Sequence, residues 1–409
     1  MHRIISTVLI LLVPLFCGCS TTNSYPVDLI ISDIRLYSEP GVPPLNGVSI
    51  AINDGKIVEV GLSIAAESAV VLDGGSRVAT AGLWNSHVHF MDPALETDAA
   101  GEVRDMLLQY GFTSVLDTGS DLAATIELSK SIERGEIAGP RIFMANGSFV
   151  YIDATPVYLP GIQLPEIEDP NQAEAMVATV MDSGAQGIKI FAGSFMSRTD
   201  TIHLPPEIIR AVANATHKRG GFLVSHPNDR IGLVNSVENG VDVLAHTAPG
   251  PEPLGDELIA IMKNNNVALI PTLKLWSYEL RRGGTPEKVV QFVQGSAIAQ
   301  LSDYYVAGGE VLFGTDTGYM RDFNTKDEFM HMRKAGMDFD GILASMTTNP
   351  ASRFASESGL LEVGATADVV VYAGDPSKDV AEFSQVQYTI RAGKLVFCAD
   401  ESQSESPCH

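Results

Sequence analysis

Cysteine is scarce: four residues in 409, at positions 17, 19, 398 and 408. Two fall within the first twenty residues and two in a polar tail, so neither a catalytic thiol nor a cysteine-based metal site fits. In an oxidising compartment Cys398 and Cys408 could close a loop at the C-terminus. Positive charge is also short, with 27 Lys and Arg against 50 Asp and Glu and a formal net charge of −23. Such an excess repels phosphate backbones, and nucleic acid is not an expected partner. Long apolar runs are missing after the first, Ile4 to Phe16, which follows the charged start Met1-His2-Arg3. That run is too short to span a bilayer stably and reads as a secretory signal rather than a membrane helix. No fixed-period repeat stands out, and only the Ser/Glu-rich tail, residues 401–409, reads as disordered.

The signal closes on Phe16-Cys17-Gly18-Cys19-Ser20, which resembles a bacterial lipobox. Residues 1–18 are then the signal peptide and Cys19 is the expected lipidated residue, although Phe16 and Cys17 depart from the usual pattern. Plain cleavage and an uncut anchor are the alternatives. The reading implies a cell-envelope lipoprotein, in the outer membrane and facing the periplasm or the surface, that meets the membrane only through its lipid. A homo-oligomer is left open.

What remains is long enough for one large domain and a smaller companion. Near the start, Leu29 to Tyr37, Val48 to Ile52 and Ile57 to Val60 read as short strands, the last two joined by the turn Asn53-Asp54-Gly55-Lys56. The same character returns at Ala367 to Tyr372, Tyr388 to Ile390 and Leu395 to Phe397, with a turn at Arg391-Ala392-Gly393-Lys394. Residues 19–78 and 360–400 are therefore expected to form one discontinuous β-sandwich. Between them, residues 79–359 alternate apolar runs with helix-like segments closed by glycine, the pattern of parallel strands with crossover helices. Candidate strands at 82–86, 114–117, 141–145, 187–191, 222–225, 243–245, 268–271 and 311–314 make eight, which predicts a (β/α)8 TIM barrel.

Four of the nine histidines fall at or just after these strands. The C-terminal strand ends of a barrel form its active-site face, so polar residues there read as chemistry. His87 and His89 are two apart on the first strand, and the period of a strand points both the same way. His226 follows the fifth strand, His246 the sixth and Asp316 the eighth. Neutral imidazoles with a carboxylate are the ligands expected of zinc or a similar divalent ion. Taken singly each has a bland explanation; together at one barrel end they point to a metal centre.

The segment Ala81-Gly82-Leu83-Trp84-Asn85-Ser86-His87-Val88-His89 resembles the first-strand His-x-His motif of the amidohydrolase superfamily. Gly187-Ile188-Lys189-Ile190 resembles its fourth-strand lysine motif. His226 and Gly240 to His246 resemble its paired histidines, and Gly314-Thr315-Asp316 its last-strand aspartate. Thr348-Asn349-Pro350-Ala351 and Gly364 to Val370 resemble its closing helix and its return to the sandwich. The resemblance implies two divalent ions, Zn2+, bridged by N6-carboxylated Lys189 and held by His87, His89, His226, His246 and Asp316. It implies hydrolysis by a metal-bridging hydroxide, with Asp316 as the proton shuttle. An ammonium beside two cations would be repelled, whereas a carbamate reverses its charge; the alternative is a Lys189 that faces outward.

The implied substrate is a small molecule with an amide-type bond, in a dipeptide, an N-acyl amino acid or a cyclic amide. Lactones and phosphotriesters suit the same hydroxide. A mononuclear deaminase would carry glutamate where this chain has Asp229, and a non-catalytic surface binding protein is the remaining alternative. For substrate contacts, the loops after the third, fourth, fifth and eighth strands offer Tyr151, Tyr158, Arg198, Arg230, Tyr319 and Arg321, and an arginine there could hold a carboxylate in a fork.

Overall fold

The computed structural model of the protein describes residues 24–68, 70–91, 94–197 and 199–399. Cys19, Arg198, Cys408 and the tail 401–409 lie outside the described residues. Cys398 is disulfide-bonded.

Seven parallel strands lie side by side in chain order: Leu83–Val88, Phe112–Asp117, Arg141–Phe149, Gly187–Phe191, Phe222–His226, Val243–Ala245 and Ala268–Ile270. The eighth expected strand, 311–314, does not form a regular one. It still closes the barrel, because Leu312 N–H bonds to Leu269 O at 2.9 Å on one side and Ser86 N–H to Phe313 O at 2.7 Å on the other. The pleat is lost because Phe313 N–H is drawn out of the sheet to Ser345 O at 2.8 Å, and Asp316 turns the chain with a left-handed φ of 59°. The seventh strand stops at Ile270 because Pro271 has no N–H to offer the ladder.

The period of two along these strands sorts side chains into two cores. Ile188, Ile190, Leu223, Leu244 and Leu269 face the helices and join the large outer cluster. Leu116, Ala145, Val224, Val243, Ala245, Ala268, Ile270 and Leu312 face inward and pack with Trp84 and Phe354. The barrel interior is thus filled with apolar side chains, and only its rim is left for chemistry.

Both chain ends supply the second unit. Its seven strands run in the order Lys394–Cys398, Val386–Arg391, Val369–Tyr372, Val71–Ala81, Leu29–Leu36, Leu45–Asn53 and Lys56–Gly61. The seven form one continuous mixed sheet. Its two outer hairpins meet: Ala367 N–H bonds to Gly55 O and Gly393 N–H to Ala367 O, both at 2.9 Å. The turns there place Asp54, Gly55, Ala392 and Gly393 at positive φ, as two-residue hairpin turns demand. The sheet closes over Ile31, Ile34, Ile50, Ile52, Val369 and Ile390, all fully buried.

Candidate metal centre and substrate pocket

The inward register that packs the interior also delivers the polar residues. Val224 faces in, so His226 two positions on does as well; Gly187, Lys189 and Phe191 share one face in the same way. His246 follows the inward Ala245 and by strict alternation would face the helices. A left-handed backbone, φ 81°, turns it back to the cavity. Asp316 is re-aimed likewise at φ 59°, and Asn228 and Thr272, on neighbouring loops, also have positive φ. Non-glycine residues held in this region cost free energy, and here they cluster at the barrel mouth.

His87, His89, Lys189, His226, His246 and Asp316 all line one cavity of about 320 Å3. Asp316 Oδ1 lies 3.4 Å from His87 Nε2 and 3.1 Å from His89 Nε2. The rings of His87 and His226 are each centred 4.6 Å from that of His246. One ligand atom each from His87, His246 and Asp316 lie within 4.8 Å of one another, a grouping able to hold a metal ion. Buried polar atoms without hydrogen-bond partners include Nδ1 of His87 and of His89 and Oδ1 of Asp316. Such atoms are costly unless something else satisfies them.

The electrostatics agree with that donor set. Burial, aided by the nearby Lys189, pushes His87 down to about 4. Burial and Lys189 push His226 to about 3, and burial next to the other imidazoles sends His246 well below its ordinary value. These three are neutral at neutral pH, the form that binds metal. Burial alone would raise Asp316, but His87 and His89 outweigh it and hold the carboxyl well below its usual range. Burial lowers Lys189 to about 8, against the opposing pull of Asp316 and Asp117. No carboxylate lies within 4.0 Å of its ammonium among the described residues, and its neighbour is the Phe191 ring, 5.8 Å away.

His246 is oriented by Thr272, whose Oγ1 sits 2.5 Å from Nδ1. Thr272 precedes the helix Leu273–Arg282, and its own hydroxyl does not cap it. Glu328, fully buried, does so from another helix by accepting from Leu273 N–H and Lys274 N–H, both at 2.8 Å. Thr272→Val should weaken the binding of a divalent metal ion roughly 10–100-fold, because the orienting partner is gone. Competition with a chromophoric chelator checks this; unchanged affinity would show that His246 needs no such support. Gly318 (φ 93°) is equally constrained: a Cβ there would lie 1.7 Å from His89 O. Gly318→Ala should cost on the order of 1–3 kcal/mol or more and loosen His89, seen as a lower melting temperature.

Tyr158 and Tyr319 also line the cavity, their rings 6.1 Å apart, and the Tyr158 hydroxyl lies 3.5 Å from His226 Nε2. Three of the other expected substrate contacts, all among the described residues, lie elsewhere. Tyr151, Arg230 and Arg321 do not line the cavity. Arg230 begins the helix Arg230–Glu238 and donates to Pro253 O at 2.8 Å, which turns its guanidinium away. Asp229 caps the same helix through Gly232 N–H and faces His203 Nε2 at 2.9 Å. Sequence reasoning missed Thr272, Glu328 and the wall residues Leu275, Trp276, Glu279 and Leu280. The signal was present, since the segment after the seventh strand belongs to the active-site face of a barrel.

The model of the amidohydrolase family matches residues 78–396. The chain belongs to the amidohydrolase family. A dihydroorotase of Geobacter sp. (strain M21) is 22% identical over 385 residues, covering 83% of this chain and 88% of that one. A Xaa-Pro dipeptidase, solved with methionine in its active site, superposes with a TM-score of 0.78 at 21% identity, over 90% of this chain and 99% of the other. The ochratoxinase of A. niger gives a TM-score of 0.73 at 20% identity, over 90% and 95%. At these identities the likeness to solved structures is one of fold, and the amidohydrolase barrel with its added sheet is that fold.

Proposed function

We propose that this amidohydrolase is a binuclear zinc enzyme that cleaves an amide-type bond in a dipeptide, an N-acyl amino acid or a cyclic amide. The observation that carries the reading is the convergence of four histidines, Asp316 and an unpaired Lys189 on one cavity floor. His87, His89, His226, His246 and Asp316 would hold the ions, and Lys189 would bridge them as its carbamate. A lysine lowered to about 8 is partly unprotonated near neutral pH, the form that adds carbon dioxide.

Bound there, two divalent ions supply Lewis acidity, making a water acidic and polarising the scissile carbonyl. Asp316 accepts the proton of the attacking water and returns it to the departing nitrogen. Tyr158, whose phenol burial pushes well above its usual value, stays protonated and can donate to the carbonyl oxygen. The apolar wall excludes bulk water from the reacting bond. The engagement of Asp229 as a helix cap disfavours the deaminase reading.

Stripping the full chain with a chelator should abolish hydrolysis of a panel of dipeptides, N-acyl amino acids, lactones and phosphotriesters, and zinc should restore it for the amides. Activity that survives stripping would contradict the proposal, and turnover of lactones or phosphotriesters alone would replace the substrate class. Attachment through Cys19 is proposed with it. Cys19→Ala should move the protein from the membrane to the soluble fraction, and an unchanged membrane share would refute the anchor. No helix of the described residues is long and apolar enough to cross a membrane.

A further inference from the structure

We propose that Glu328 is a positioning residue of the metal floor: its buried carboxylate takes over the capping of the wall helix, which frees the Thr272 hydroxyl to aim the His246 ring. This rests on the metal-centre reading above.

A threonine at the start of a helix ordinarily turns its hydroxyl onto the first free N–H groups. The helices Leu122–Glu133, Arg230–Glu238 and Phe339–Met346 are closed in this way by their own Asp121, Asp229 and Asp338. Thr272 is different, since its Oγ1 is spent on His246 Nδ1. Its backbone is unusual as well: φ is 41°, and a β-branched residue held there costs free energy. A group from outside the helix must then satisfy the free N–H groups and hold that conformation. Glu328 does both, with one oxygen on Leu273 N–H and the other on Lys274 N–H. A fully buried carboxylate is a costly cap, and what it leaves free is the hydroxyl on the metal ligand.

The clamp has two sides. Lys274 reaches back to the segment that leads into Lys326–Lys334, the helix of Glu328. Its Nζ lies 3.0 Å from Asp322 O, 2.6 Å from Asn324 O and 2.9 Å from Asp322 Oδ2. Further along the wall helix, Trp276 Nε1 donates to Thr247 Oγ1 at 2.9 Å. The start of the helix is thus fixed on one side by Glu328 and Lys274, and on the other it is tied to the neighbours His246 and Thr247. Displacement of the helix start moves the imidazole with it.

The test is a double-mutant cycle between Glu328→Gln and Thr272→Val on the full chain at pH 8, where Glu328, which burial pushes up to about 7, is ionised. Cobalt(II) is the probe, with affinity read by chelator competition and ligand geometry by visible absorption. Glu328→Gln keeps the shape but offers one acceptor to two N–H groups, so cobalt affinity should fall roughly tenfold or more, with an altered spectrum. On the Thr272→Val background the same substitution should change affinity by less than about twofold, because it acts through that hydroxyl. Asp338→Ala removes the cap of a helix that does not line the cavity. It should lower the melting temperature and leave cobalt affinity unchanged. Equal losses from Glu328→Gln on both backgrounds, or as large a loss in Asp338→Ala, would overturn the inference. Lys274→Met, which loosens the other side of the clamp, serves in the same cycle if Glu328→Gln does not fold. If the wild type takes up no cobalt, the metal-centre reading fails, and the His246 ring resonances of the metal-free chain decide the positioning. Glu328→Gln should shift them as Thr272→Val does, and unshifted resonances would refute the role of Glu328.

Discussion

Lys189→Ala should lower the metal content from about two ions per chain to one or fewer and remove most turnover, because loss of a shared ligand disturbs both positions. Loss of an orienting partner alone costs roughly 10–100-fold at metal sites, so loss of the bridge itself should exceed about 100-fold. The expectation comes from where the side chain sits. Lys189 is 2% exposed, on the cavity floor, with no carboxylate to pair its charge. An uncompensated buried ammonium is costly, whereas a carbamate between cations is not. Short carboxylic acids should restore part of the rate by filling the vacated space. Metal analysis and kinetics on the variant, with His87→Ala as a positive control, decide the matter. Retention of two ions and near-normal turnover would rule out the carbamate bridge.

Asp316→Asn should reduce kcat by roughly 10²–10⁴ while changing KM little, since the substitution keeps the shape and removes the proton acceptor. Asn retains an oxygen donor, so the metal content should fall less than in Lys189→Ala. The two variants then separate binding of the ions from movement of the proton. Because Asp316 titrates well below the ordinary carboxylate range, the wild-type rate should not fall from protonation of this group between pH 5 and 7. A kcat within tenfold of wild type in Asp316→Asn would remove it as the shuttle.

The floor of the pocket was legible in the sequence because its chemistry sits at the ends of apolar runs, where strand periodicity fixes which way a side chain points. Lys189 and His226 follow that rule directly, whereas His87 and His89 share the cavity only after the register shift between Asn85 and Val88. His246 and Asp316 do not, and reach the cavity through left-handed backbone that no periodicity reveals. The eighth strand loses its regularity to a bond from Phe313 N–H to Ser345 O, thirty-two residues on, which no local pattern announces. The joining of both chain ends was legible from matching hairpin turns, yet what unites them in one sheet is Val71–Ala81, which pairs with Leu29–Leu36 on one side and Val369–Tyr372 on the other.

The pocket wall was the least legible part. Trp276 and Leu280, four apart on a helix, have the spacing of ordinary core residues, and Leu159 and Leu164 lie in a long irregular loop without a pattern. Charged loop residues were the natural substitutes in a reading from sequence, but charge in a loop is usually spent on local structure. Arg230 is held by a backbone carbonyl and by Glu252 at 3.3 Å. Glu328 shows the converse: a helical glutamate with no local signal closes the start of a helix 54 and 55 residues away in sequence.

The central claim is that the floor of this barrel holds two divalent ions. The most direct test is to load the purified full chain with zinc, remove free metal and measure the zinc bound per chain together with the mass added to Lys189 under native conditions. The account predicts about two ions per chain and a carbon dioxide adduct on that lysine. One ion or none, with Lys189 unmodified, would contradict it.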